Sequence, residues 1–464
     1  MTSAAVAATD PVDPPNDEAP APAQPTLTEA VSEPERIAAI DVARGVAIFG
    51  IAMVNIQFFA QPFGTILNME PPPGAGPLDR LVYYFTAIFF SGKFYPLFST
   101  LFGIGFAIQF GRARAAGRRF AGPYLRRLVA LSLMGLVHGF LFWYGDILFL
   151  YSLCGLVLFA ALMIFPEAGW RSLVVTGAAI VLFAVLLNAG FGALMMAAAG
   201  EEGMPDTSPA SVAQAESEAE AAASPIRRLF EAFDEEEGVS GPNDPLWMAL
   251  EERAYREGPF IESLAFRALT YFFGIIFMFT GFGWHVLGMF FIGAGLMRAR
   301  FFEADRRALH IRLLVAGLVI GLPLSAAGAL LPGAADNAWL MMAAGAMIML
   351  GGPVVSLAYL SGVTLLVRSG TARPLTAAVA SVGRMALTCY LGTTLIATFL
   401  MYHWGLGLFG RMSPVQQVGI VVGIYLLLLG VANAWLRFFQ FGPLEWLWRL
   451  VTYLKPQPLL RSRA

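Results

Sequence analysis

Ten apolar runs, near 38–60, 80–110, 124–143, 145–165, 171–199, 266–297, 310–331, 338–367, 376–401 and 414–437, constrain this chain more than any other feature. A helix needs about 20 apolar residues to cross the hydrocarbon core of a bilayer. Backbone N–H and C=O groups inside that core must find partners within the protein, which a helix provides by itself. The expected fold is therefore all-α, a polytopic transmembrane bundle of about ten spans, with the lipid bilayer as its first partner. Composition agrees: 57% of the 464 residues are hydrophobic and 13% are charged, against roughly 25% charged in a soluble domain. A net charge of −2 leaves no footprint for nucleic acid. The two cysteines, Cys154 and Cys389, both fall in apolar runs, so a disulfide framework and a cysteine metal cluster are excluded.

The runs divide the chain into a first membrane half at 36–199 and a second at 263–440, with five spans each. Ahead of them, 1–35 holds seven Pro, seven Asp or Glu and no Lys or Arg; it cannot bury enough apolar surface to order itself, and reads as a disordered acidic tail. Between the halves, 200–262 carries 16 acids against four Arg. Its first half reads as flexible and its second as short surface helices. The runs at 80–110 and 266–297 exceed one straight crossing at about 1.5 Å per residue. Both are interrupted, at Gly92–Pro96 and Gly281–Gly283, as bent helices or as an interfacial helix leading into a span. Arginine gathers at 111–127, 298–312, 368–375 and the C-terminal tail. Taking 266–297 as one crossing puts all four segments on one side. The charge rule makes that side the cytoplasm, with both termini there and 200–262 outside. A bacterial inner membrane is the expected location.

Ionisable groups within a span are costly and mark sites by default. In the first run Asp41 and Arg44 stand three residues apart on one helix face, next to Gly45, and Asn55 returns to nearly that face about 21 Å further on. The pair either caps the helix start or begins a polar stripe facing the bundle interior. Lys93 lies in the interruption of the second run, as a site residue or a snorkelling anchor. His138 closes the third run, and the short turn to Asp146 sends the chain straight back. The two side chains can therefore meet, giving either a carboxylate-oriented base or a core histidine bonded to a carbonyl. His285, His310 and His403 read as packing, cytoplasmic-loop and aromatic-belt residues. No two histidines share a ligand spacing, so no metal is expected. In 441–464, Glu445 and Arg449 have i, i+4 spacing and flank Trp446 and Trp448. This reads as an amphipathic helix on the inner surface, with a structural or gating role over the mouth near Asp41 and Arg44.

Four strings carry a resemblance. They are RIAAIDVARGVAIFGIAMVNIQFF in the first run, GKFYPLFSTLFGIGFAIQ at 92–109, RRLVALSLMGLVHGFLFWYGDILFLYSLCG at 126–155, and FGPLEWLWRLVTYLKPQPLLR at 441–461. In this order they resemble the YeiB-type family of bacterial inner-membrane proteins, a domain of unknown function. The D-x-x-R-G opening, Asp41 to Gly45, is also similar to that of a wider superfamily of transmembrane acyltransferases, the heparan-alpha-glucosaminide N-acetyltransferase type and the bacterial glycan O-acyltransferase type. That resemblance implies an acyl group taken from cytoplasmic acyl-CoA to a glycan or lipid-linked acceptor beyond the far face. Arg44 would then lie near the CoA phosphates, with Asp41, Asn55 and Lys93 as substrate or donor contacts. The O-acyltransferase type has its histidine where this chain has Asn55, and the other type keeps one before its second span, whereas no histidine here precedes His138. His138 with Asp146 is therefore the expected catalytic pair, acyl-CoA the transient donor, and no cofactor is permanently bound. The alternative is a transporter moving a small solute along the same polar path.

Overall fold

The computed structural model describes residues 37–461, apart from 68, 73, 118–119, 200–207, 234, 236–238, 240 and 333–337. The expected tail at 1–35 lies outside the described residues. Among them there is no β-strand, and the apolar runs are helices. The first half contains α1 (Ala38–Ala60), the short α2 (Phe63–Leu67), α3 (Pro77–Phe89), α4 (Phe94–Ala115), α5 (Ala121–Val137), α6 (Leu148–Ile164) and α7 (Trp170–Ala199). The connecting segment folds as α8 (Pro209–Ala221), α9 (Pro225–Phe233) and α10 (Pro245–Glu257). The second half contains α11 (Phe260–Phe277), α12 (Gly283–Arg298), α13 (Arg307–Ala316), α14 (Leu322–Leu330), α15 (Ala338–Ser369), α16 (Arg373–Arg384), α17 (Ala386–Met401) and α18 (Pro414–Phe438), and α19 (Pro443–Tyr453) closes the chain. Residues from Ile37 on form a single compact unit, so the two sequence halves are not separate bodies.

Eight of these segments are long and apolar enough to cross a membrane, and the pair α16–α17, bent by 80°, makes a ninth. The run expected at 145–165 is α6, apolar but only 17 residues long. Both expected interruptions are present. Residues 90–93 turn between α3 and α4, and a π-helical turn, Met278–Phe282, separates α11 from α12. Arg267 reaches the Leu141 carbonyl, and a Cβ on Gly283 would lie 3.2 Å from Leu150. The stretch 267–283 therefore runs beside the turn joining α5 to α6, and α12 is the helix through the middle of the bundle.

Burial runs almost unbroken along α12, from Gly283 to Gly295. It packs mainly on α7 and α4. Close approach there depends on glycine: a Cβ at Gly293 would sit 2.1 Å from Thr100 O, nearer than atoms allow. Small residues that let backbones meet are the usual basis of helix association in lipid, where dispersion contacts replace the hydrophobic effect. The arginine-bearing turns lie at one end of the bundle. Arg298 donates to Pro166 O at 3.1 Å and to Ala168 O, Arg114 to Pro166 O at 3.1 Å, and Arg126 to Thr452 O at 2.9 Å. Guanidinium donors thus satisfy carbonyls that helix ends leave without partners.

The helix layer α8–α10 is more ordered than its composition suggests, since α8 lies where a flexible stretch was expected. Arg253 donates to Ala219 O and Ala222 O at the end of α8, and Asp244 caps α10 by accepting from Leu246 N at 2.9 Å. Leu229, Ala232, Trp247, Leu250 and Ala254 are buried and continue the main hydrophobic core of the bundle. Among the bonds that fasten this layer to the bundle, Phe63 N donates to Glu251 at 3.1 Å, His403 N donates to Tyr255 O at 2.8 Å, and Ile226 N donates to Glu262 of α11 at 2.8 Å.

Candidate functional site

The most developed polar constellation grows from the turn between α5 and α6. After Val137 the helix widens into a π-helical turn, His138–Phe142, closed by Trp143 N donating to His138 O at 2.9 Å. Such turns re-aim a side chain and recur at functional sites. Trp143 seats the turn against α1, its ring 4.2 Å from that of Phe59, while the Tyr144 hydroxyl donates to Phe58 O at 3.2 Å. Asp146 then performs two tasks. One oxygen accepts Phe149 N at 2.9 Å, capping the start of α6, and the other lies 2.9 Å from His138 Nδ1. The remaining ring nitrogen, Nε2, is 3.0 Å from the hydroxyl of Thr394 on α17. His138, Asp146 and Thr394 are 2%, 3% and 1% exposed, which removes bulk water as a competitor for these bonds.

Around this core stand groups the sequence reading did not select. Arg267, fully buried, donates to Leu141 O within the π-helical turn and to Ser263 Oγ at 3.4 Å. Its guanidinium sits among Tyr255, Phe260, Tyr402 and Trp404, 5.5–5.9 Å from each ring centre. Tyr271 lies over Gly139, where any side chain would strike its ring. Above them, on the α10 side, Glu251 is buried and burial pushes its carboxyl up to about 8, partly opposed by the Phe63 N–H. Arg267 interrupts an apolar run and could have been flagged by the same rule that selected Asp41. Thr394 carries no sequence signal separating it from Thr393 or Thr398. Glu251 reads in sequence as one acid of a solvated face.

The other expected residues are placed as follows. Asp41 and Arg44 are half-buried and paired at 3.5 Å at the arginine end. The helix lying on them is α16: a Cβ on Gly383 would meet Asp41 O, and one on Gly45 would meet Val379. Nearby, α19 docks on α5 and α17: Trp448 Nε1 donates to Arg127 O at 2.9 Å, and the Arg127 guanidinium stacks 3.9 Å above the Trp448 ring. Glu445 accepts Leu387 N at 2.7 Å, Thr388 N at 3.0 Å and the Thr388 hydroxyl at 2.5 Å. It caps α17 just after the bend, and its carboxyl is raised by burial against those bonds. Arg449 stacks on Phe441 at 4.1 Å. Asn55 is half-buried and is not hydrogen-bonded to His138 or to the Asp41–Arg44 pair.

Lys93 is fully buried in the turn before α4, its Nζ donating to Ala87 O at 2.9 Å. Nearby, His285 links Tyr95 OH at 3.2 Å to Met349 O at 2.9 Å, a second buried polar group within the bundle. Among the described residues the expected groups stand in different places: Asp41 with Arg44 at the arginine end, Lys93 and the His285 group within the bundle, and His138 with Asp146 beside α11. Among the described residues, no three His, Cys, Asp or Glu side chains gather closely enough to hold a metal ion.

A bundle of apolar helices carrying buried ionisable groups defines a multi-pass integral membrane protein. A family profile described as "Protein of unknown function (DUF418)" matches residues 296–455. The chain is 31% identical over 449 residues to the uncharacterized protein YxaH of Bacillus subtilis (strain 168), covering 95% of this chain and 98% of that one. It is 31% identical over 435 residues to the uncharacterized protein YeiB of Escherichia coli (strain K12), covering 93% and 100%. The chain belongs to this YeiB-type DUF418 family. No solved structure matches it.

Proposed function

We propose that this protein is a membrane acyltransferase in which His138, oriented by Asp146, serves as the general base. The observation that carries the reading is the buried imidazole held at Nδ1 by a carboxylate at 2.9 Å, with its other nitrogen against a hydroxyl at 3.0 Å. An imidazole fixed in one tautomer can take a proton from an alcohol as it attacks a thioester carbonyl, and then pass it to the leaving sulfur. The donor is acyl-CoA entering from the arginine end, where Arg44 supplies a guanidinium suited to phosphate. That end faces the cytoplasm, with both termini there, in a bacterial inner membrane. The acceptor is a glycan or lipid-linked sugar reached from the side of α8–α10.

A transporter of a small solute is the second reading, favoured by one observation: Lys93, fully buried where the chain breaks between α3 and α4. One experiment separates the two. Purified protein is incubated with labelled acetyl-CoA, and binding and transfer of label to membrane glycans are measured. Under the acyltransferase reading the label binds and moves, and His138→Ala abolishes transfer while leaving binding intact. Absence of acyl-CoA binding at millimolar concentration rejects this reading in favour of transport.

A further inference from the structure

Within α17 the neighbouring threonines bond back onto their own helix, Thr393 to Cys389 O at 2.9 Å and Thr398 to Thr394 O at 2.8 Å. Thr394 makes no such bond among the described residues; its Oγ1 turns outward to His138 Nε2. With Asp146 ionised, His138 Nδ1 carries the hydrogen of that contact, and in the neutral imidazole Nε2 is then an acceptor. In that state Thr394 is the donor of the second contact. Hydroxyl, imidazole and carboxylate follow one another at 3.0 and 2.9 Å, assembled from α17, the π-helical turn and the start of α6. A hydroxyl bonded to a base that is itself oriented by an acid is the arrangement of an activated alcohol nucleophile, on whatever fold it occurs.

We infer that Thr394 is a nucleophile that carries the acyl group covalently, as an ester on Oγ1, between donor and acceptor. The acyl-CoA donor in this scheme rests on the acyltransferase reading above; the reactivity of the hydroxyl does not. In the first step Oγ1 attacks the thioester carbonyl, its proton moves to His138 Nε2, the C–S bond breaks, and the sulfur leaves with that proton as free CoA thiol. In the second step an acceptor hydroxyl attacks the ester carbonyl. Its proton passes through Nε2 back to Thr394 Oγ1, and the acyl group leaves on the acceptor. Both steps conserve atoms and electrons and need no other reactant. The scheme assigns the developing oxyanion a donor from the residue that covers the turn after His138. The Tyr271 hydroxyl is fully buried, makes no hydrogen bond among the described residues, and lies 3.1 Å from where a Cβ on Gly139 would stand.

The test uses the full-length protein in lipid nanodiscs and two acetyl donors, isotope-labelled acetyl-CoA and p-nitrophenyl acetate, a thiol-free activated ester. After a short pulse and acid quench, peptide mass spectrometry reads acetylation of residues 386–401. The expected result is an acetyl group on Thr394. It should be lost in Thr394→Val and His138→Ala and retained on the serine of Thr394→Ser, with a wild-type melting temperature of Thr394→Val showing that its loss is not misfolding. Release of p-nitrophenol should fall about 100-fold or more in Thr394→Val. Acetylation of Thr394 by the activated ester but not by acetyl-CoA would sustain the nucleophile and reject the donor. Transfer of label to glycans at the wild-type rate by Thr394→Val would sustain the acyltransferase and overturn the nucleophile. Absence of acetyl-Thr394 with both donors likewise overturns it.

Discussion

Replacing Glu251 by glutamine removes one titrating proton with almost no change of volume. The carboxyl is buried in α10, accepts Phe63 N, and is raised by burial from its ordinary 4.5 to about 8. When the α8–α10 layer opens, the group meets water and returns to its ordinary value. Between those two values the closed state holds a proton that the open state has released. The closed state therefore binds more protons, and its stability falls as pH rises through that window. Below the window both states are protonated and the penalty vanishes; above it the penalty is complete. At about 1.36 kcal/mol for each pH unit, the ceiling is about 5 kcal/mol. Glutamine still accepts the Phe63 N–H and cannot ionise. Thermal unfolding in detergent should therefore find Glu251→Gln and wild type alike at about pH 4 and the variant melting higher at about pH 9. Deuterium exchange should show the gain concentrated in 209–257. A wild type that is the more stable at high pH would refute the reasoning, because the carboxylate would then be favoured rather than penalised by its surroundings.

Glu445→Ala strands the Leu387 and Thr388 N–H groups at the start of α17; it should cost about 1–3 kcal/mol, read as a lowered melting temperature, with Glu445→Gln recovering part of it. Gly293→Val forces a side chain into the Thr100 carbonyl and should lose about 3 kcal/mol or more, seen as failure to yield monodisperse protein on size exclusion. Lys93→Met keeps the apolar stem and removes a buried ammonium bonded to one carbonyl. The variant should melt higher than wild type while losing transport or transfer if Lys93 serves the site, and a lower melting temperature would show that the ammonium is structurally required.

The membrane helices were legible because the lipid-crossing requirement is written residue by residue into the apolar runs. Even the two interruptions could be located, since glycine and proline break a run visibly. The meeting of His138 and Asp146 could be read because a turn of few residues leaves two antiparallel helices little freedom. Thr394 is 256 positions from His138, and nothing local in a threonine-rich stretch says which hydroxyl turns away from its own helix. Glu251 was hidden for a related reason: in an acidic segment one buried carboxylate looks like its solvated neighbours until tertiary packing selects it. The helices that receive α19 could not be read in the sequence, because amphipathicity tells which face is apolar and not what it packs on. The bend between α16 and α17 contributes by exposing the Leu387 and Thr388 N–H groups that Glu445 accepts.

The cap supplied by Glu445 also has a consequence for the order in which the protein is made. The membrane helices among the described residues all precede α19, so they can enter the bilayer before the carboxylate that steadies the beginning of α17 has left the ribosome. The helix that brings Thr394 to His138 is thus completed by a segment made after it and after α18. A stop placed after α18 would leave the start of α17 without its cap and the polar centre unset.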